Sequence, residues 1–317
     1  MVQENFVKND VPLLIICGPT ASGKTELAVE CAKLLHSEVI SADSMNVYKE
    51  LNIGTAKPSL EERMGVRHHL IDVVSPFDSF SVGDYKELAE PIADKLTSLG
   101  KTPVICGGTG FYINSLLYDF SYGNVAENTV AREKYKALAL KEGNEYVYNV
   151  LRKVDEKSAD RIHPNDIKRV IRALEIYENG TKKSDIIDSK VPKRKFLAFS
   201  YDIPRDELYE KINNRVDLMI KNGLIDEVKG LILKGLNETH QSLQGIGYKE
   251  IFEYLSGRLT LDEAVEKIKL NTRHYAKRQI TFFKKIPDLI YLKKEKTKQT
   301  AERIVTEYDK YRLNQKM

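Results

Sequence analysis

Short apolar, β-rich runs alternate with amphipathic helical stretches through the first 120 residues, the pattern of a parallel α/β sheet. Strands are predicted over Leu13–Cys17, Glu38–Ser41, His69–Val73 and Pro103–Cys106, and a helix over Lys24–Leu35 follows the first of them. From about Tyr122 the periodicity turns helical. Helices are expected over Thr129–Glu142, Glu145–Lys153 and Asp166–Glu178, the last stopped by Gly180. A lysine-rich polar stretch, Thr181 to Lys195, closes this block, and strand signals return at Phe196–Tyr201 and Leu289–Leu292. Two late strands need a sheet to join. The pattern therefore reads as a helical insertion within one α/β domain rather than two domains in series. The expected division is a core over 1–121, a helical insertion domain over 122–195, and a core continuation with basic C-terminal helices over 196–317.

Composition narrows the class. Hydrophobic residues make up 42% and charged residues 30% of 317 residues, enough for a sizeable core. The apolar run from Val11 to Cys17 is far shorter than the roughly 20 residues a membrane span needs, and MVQENFVKND lacks the apolar stretch of a signal peptide. No membrane association is expected. Three cysteines, Cys17, Cys31 and Cys106, form neither an even set nor a zinc-site spacing, so a reducing, cytoplasmic setting is expected. With a net charge of only +4, any affinity for nucleic acid must come from local patches.

The strongest local signal is Gly18-Pro19-Thr20-Ala21-Ser22-Gly23-Lys24-Thr25, a G-x-x-x-x-G-K-[ST] loop between an apolar strand and a helix. Its backbone amides and helix N-terminus suit phosphate oxygens, Lys24 adds a full charge, and Thr25 offers a hydroxyl able to ligand Mg²⁺. The fold class expected is thus α/β, a P-loop NTPase-like parallel sheet core with a helical insertion domain. The loop establishes a polyphosphate site without making the polyphosphate ATP. An NTP hydrolase usually adds a strand ending in Asp, yet Pro103–Cys106 runs into Gly107-Gly108-Thr109-Gly110. The acidic candidate is instead Asp43, at the end of Val39-Ile40-Ser41-Ala42-Asp43, where strand ends open onto a ligand crevice.

Basic residues cluster in three places. Residues 267–285 hold seven Lys/Arg and no acid, in a helix opened by the capping box Thr260–Glu263, with Lys269, Arg273 and Lys277 spaced along one face. Arg161, Lys168, Arg169 and Arg172 form a second group, and Lys190, Lys193, Arg194 and Lys195 a third. Together they suggest a polyanion larger than a metabolite. The pair His68-His69 reads as structural. Two rivals remain at this point: a P-loop small-molecule kinase, and an RNA-binding protein using nucleotide as a switch.

Several blocks resemble the tRNA dimethylallyltransferase family in its bacterial form. They are GPTASGKT at 18–25, SADSMNVYK at 41–49, NIGTAKP at 52–58, GGTGFYI at 107–113, HPNDIKRVIRALE at 163–175, Arg215 with GLIDEV at 223–228, QGIGYKE at 244–250 and TRHYAKRQITFFKK at 272–285. The resemblance implies transfer of a dimethylallyl group from dimethylallyl diphosphate to N6 of the adenosine next to the anticodon, position 37, with Mg²⁺ and release of diphosphate. It implies Asp43, Thr109 and Arg215 as catalytic residues and Gly18–Thr25 as the diphosphate loop. It also implies contacts to the anticodon stem-loop from Asp43, Ser44, Met45, Asn46, Thr109, Arg132, Lys168, Arg169 and Arg172. Further contacts are implied from Gln244, Gly245, Gly247, Tyr248, Lys249, Arg273, Lys277, Arg278, Gln279 and Lys284. Asn46 stands where the family often has Gln. The chain is expected to act as a monomer.

Overall fold

The computed structural model describes residues 11–119, 128–186 and 191–314. It divides into two compact units, one formed by Met1–Leu117 with Lys193–Met317, the other by Tyr118–Pro192. The division falls a few residues before the expected boundaries at 122 and 196. At the second boundary the cause is charge pairing. Lys193 pairs with Glu90 and Arg194 with Asp94, at 2.8 Å for the latter, so these residues belong to the first unit.

The first unit is built on strands β1 (Leu13–Cys17), β2 (Val39–Ser41), β3 (His68–His69), β4 (Val104–Gly107), β5 (Phe196–Tyr201) and β6 (Ile290–Leu292). They form one sheet in the order β3-β2-β4-β1-β5-β6, with every pairing parallel. The late strands β5 and β6 extend the sheet begun by the early ones, β5 lying directly beside β1. The strand expected over His69–Val73 is cut to two residues. Left-handed backbone at Leu70 (φ 60°) and Asp72 (φ 57°) breaks the extended run after His69. As expected of a structural pair, His69 Nε2 meets Glu38 Oε2 at 2.7 Å, and His68 Nδ1 meets the Val66 carbonyl at 2.9 Å.

Helices α1 (Lys24–Leu34), α2 (Val82–Ser98) and α3 (Gly110–Leu117) serve the first half of this sheet. The second unit holds α4 (Thr129–Glu142), α5 (Asn144–Val154), α6 (Glu156–Ala159) and α7 (Ile167–Glu178) around its own core of Tyr135, Val147, Leu151, Val170 and Leu174. The first unit resumes with α8 (Arg205–Lys221), α9 (Leu224–Leu233), α10 (Tyr248–Leu255), α11 (Leu261–Phe283) and α12 (Thr297–Asn314). Thr260 caps α11 through the expected box with Glu263. The main core packs α1 and α12 on β1, β4 and β5, with Leu14, Ile16, Val104, Phe199 and Tyr308 almost fully buried. Central strands buried on both faces read as continuous apolar runs, which is why β1 was legible from its sequence.

Candidate active site

β1 leads through α1 to β2, on the far side of β4, whereas β5 lies on the other flank of β1. The chain thus departs in opposite directions around β1 and β4, and a crevice opens at their carboxyl ends. Three loops meet there: 18–25 after β1, 42–46 after β2, and 108–109 after β4.

The first loop holds Ala21 at φ 61° and Gly23 at φ 88°, with Gly23 at the start of α1. A non-glycine residue in that region costs about 1–3 kcal/mol, a strain that clusters at ligand clamps. Lys24 Nζ reaches the Pro19 carbonyl at 3.3 Å, and Arg215 Nη1 donates to Thr20 Oγ1 at 3.2 Å. Burial lowers the pKa of Lys24, opposed by Cys106 and Asp43. Burial likewise lowers Arg215, again opposed by Asp43. Two cations are therefore held close together and partly desolvated, where a polyanion gains most by arriving. Ser22 Oγ is buried with no hydrogen-bond partner among the described residues, a hydroxyl that phosphate oxygens would satisfy.

Asp43 follows β2. Its Oδ1 accepts the amides of Met45 at 2.9 Å and Asn46 at 3.3 Å, a local turn that fixes the carboxylate. Thr109 braces the same turn, its Oγ1 accepting from Ser44 N at 3.0 Å and its amide donating to the Ala42 carbonyl at 3.0 Å. Two cavities, of about 430 and 310 Å³, share Thr20, Lys24, Asp43, Thr55 and Arg215 as common wall. The larger continues along the phosphate loop to Thr25 and Glu26. The smaller is the more apolar of the two, with Met45, Val216, Met219, Ile246, Ile268 and Tyr275 in its wall beside the polar Ser44, Gln244, Thr272, Arg278 and Gln279. A phosphate-type loop on one side, a fixed carboxylate at the junction and a more apolar chamber on the other would suit displacement of a phosphate leaving group.

Several residues expected on RNA are engaged within the protein. Arg132 Nη2 lies 3.1 Å from Glu175 Oε2 and Arg172 Nη1 2.7 Å from Glu175 Oε1, both partnering a fully buried carboxylate that also accepts Asn128 N at 2.8 Å. Arg169 pairs on the surface with Asp166 at 3.2 Å, and Lys168 is exposed. The stripe on α11 is divided by α8. Lys269 meets Asp217 at 2.8 Å and Arg273 donates to Asn213 at 2.7 Å, while Lys277, Arg278 and Lys284 stay exposed. Lys193 and Arg194 are spent on α2, and Lys190 lies outside the described residues. Gln244 and Lys249 are exposed, but Gly247 and Tyr248 are buried. Gln279 is buried between the loops.

The sequence reading passed over two groups. Tyr275 lines the apolar chamber, where burial pushes its phenol up to about 12. Glu227 accepts the amides of Asn52 (3.0 Å), Ile53 (2.9 Å) and Gly54 (3.2 Å) and the Tyr248 hydroxyl (2.6 Å). It thereby holds the loop that carries Thr55. Its signal was the acidic pair Asp226-Glu227 inside the otherwise apolar GLIDEV block. The three thiols are free and buried, Cys17 and Cys31 pushed up to about 12 and Cys106 to about 11 by desolvation.

Fold and cleft define a P-loop α/β protein whose phosphate-type loop lies beside a more apolar chamber, with a carboxylate on the wall they share. The model of the IPP transferase family matches residues 46–286, and that of isopentenyl transferase residues 11–78. The tRNA dimethylallyltransferase of Acetivibrio thermocellus is 46% identical over 89% of this chain and 92% of its own. That of Caldanaerobacter subterraneus is 48% identical over 86% and 89%. Among solved structures, the tRNA isopentenylpyrophosphate transferase of Bacillus halodurans aligns with a TM-score of 0.73 at 39% identity, covering 96% of this chain and 98% of that one. A eukaryotic dimethylallyltransferase acting on tRNA aligns at 0.82 and 28% identity, over 96% and 80%. The chain belongs to the IPP transferase family.

Proposed function

We propose that this protein transfers the dimethylallyl group of dimethylallyl diphosphate to N6 of adenosine 37 in tRNA, releasing diphosphate. The observation that carries the reading is the shared wall. Asp43 lies on the same cleft surface as Lys24 and Arg215, between the phosphate loop and the apolar chamber. N6 is a weak nucleophile because its lone pair is delocalised into the ring. As the N6–C1 bond forms and the C1–O bond breaks, the N6 proton passes to the Asp43 carboxylate, an assistance of about 10²–10⁴-fold. The leaving diphosphate gains charge where Lys24, Arg215 and the loop amides are already placed. Thr25 lines the phosphate side, and its hydroxyl would help hold Mg²⁺, which when bound would supply charge neutralisation for the leaving diphosphate. Extruding the adenine costs a few kcal/mol, offset by contacts of the exposed Lys277, Arg278 and Lys284 with RNA phosphates.

The test is direct. Protein, Mg²⁺, dimethylallyl diphosphate and unmodified tRNA are incubated, and nucleosides are weighed after nuclease digestion. Adenosine heavier by one dimethylallyl group is the expected product. ATP turnover without tRNA, and no modified adenosine, would leave the kinase reading standing.

A further inference from the structure

Helix α11 presents two unlike faces. Lys277, Arg278 and Lys284 are exposed, whereas Gln279, within the same basic run, is 5% exposed. The Gln279 carboxamide spans two loops far apart in sequence. Its Oε1 accepts the Thr20 amide at 2.9 Å, and its Nε2 donates to the Gly108 carbonyl at 2.9 Å. A backbone N–H can only donate and a carbonyl only accept, so this pair of partners dictates which way the amide faces. The fit is close. A Cβ on Gly108 would fall 2.2 Å from Gln279 Nε2, and one on Gly110 would fall 2.2 Å from the Phe282 ring, three residues further along the helix. Glycine at both positions lets α11 press directly on the loop after β4.

We propose that Gln279 is a positioning residue that holds the phosphate loop and the Gly108–Thr109 loop in register for the donor's diphosphate, and that it does not contact RNA. The inference rests on the function proposed above. By fixing the Thr20 peptide, Gln279 anchors the start of the turn in which Ala21 and Gly23 take left-handed conformations. By fixing Gly108, it sets Thr109, whose hydroxyl accepts from Ser44 beside Asp43. One amide thus joins the diphosphate cradle to the turn that carries the base.

Two variants test this. Gln279→Met keeps the length of the side chain but leaves the Thr20 amide and the Gly108 carbonyl buried without their partner. Affinity for inorganic diphosphate in Mg²⁺, read by calorimetry, should fall about fivefold to a hundredfold, with a parallel rise in KM for dimethylallyl diphosphate. The tRNA Kd and its salt dependence should stay at wild-type values. Gln279→Glu keeps the acceptor for Thr20 N but sets a carboxylate against the Gly108 carbonyl. Protonated, its O–H donates to that carbonyl and restores the bridge. Diphosphate affinity of this variant relative to wild type should therefore rise as pH falls, a titration that packing alone does not produce. Weaker tRNA binding with unchanged diphosphate binding, or a Gln279→Glu pH profile parallel to wild type, would overturn the assignment. A wild-type protein that binds no diphosphate would instead remove the proposed function itself.

Discussion

Replacing Asp43 by Asn isolates the proton acceptor from the loop it sits on. Asp43 Oδ1 receives the Met45 and Asn46 amides, and the carbonyl oxygen of Asn can receive both. The turn and its brace from Thr109 are therefore retained. What changes is the second oxygen, which becomes an NH₂ group and cannot take the N6 proton. Loss of general-base assistance by about 10²–10⁴-fold corresponds to about 2.7–5.4 kcal/mol of barrier. Diphosphate and tRNA affinities should change little, because the phosphate loop and the exposed lysines are untouched. Single-turnover transfer at saturating substrates, run across a Mg²⁺ series, reads the chemical step alone. A near wild-type rate would refute the base assignment. A deficit repaired by high Mg²⁺ would make Asp43 a metal-side residue instead.

Glu175→Gln should destabilise the helical insertion by about 2–3 kcal/mol. That is less than the loss of a fully buried pair, because Arg132 and Arg172 keep part of their side chains in water; native-state hydrogen exchange of the α7 amides measures it. Burial works to raise the Glu175 carboxyl, but the Asn128 amide, Arg172 and Arg132 outweigh it and hold its pKa below the usual range. A depressed carboxylate contributes stability that is present above its unfolded pKa and lost as pH falls through the folded one. The gap between wild type and Glu175→Gln should accordingly close on acidification. On α11, Lys277→Ala should weaken tRNA binding and lower the slope of log K against log salt by about 0.7–0.9. Lys269→Ala, which loses Asp217 and Glu266 as partners, should leave that slope unchanged, and an equal effect of the two would contradict the division of the stripe.

Several features were written locally, and these the sequence determined by itself. The phosphate loop is one contiguous turn between an apolar strand and a helix. Strand β1 is an unbroken apolar run and β5 one interrupted only by Ser200, and Thr260 and Glu263 cap α11 across three residues. Asp43 stood out as an acid at a strand end, and the order of motif blocks pointed to the family. Only the tertiary structure decided which charged and polar groups face water. Arg132 and Arg172 were indistinguishable in sequence from Lys168 until α4 and α7 packed around Glu175. Lys269 and Arg273 belonged to one basic stripe until α8 brought Asp217 and Asn213 against it. Gln279 lay in a run of basic residues, and only the fold set it against Thr20 and Gly108, 259 and 171 positions away. Helical spacing tells which residues share a face. It carries no information about what that face meets, because the partners arrive from distant segments through the sheet order β3-β2-β4-β1-β5-β6.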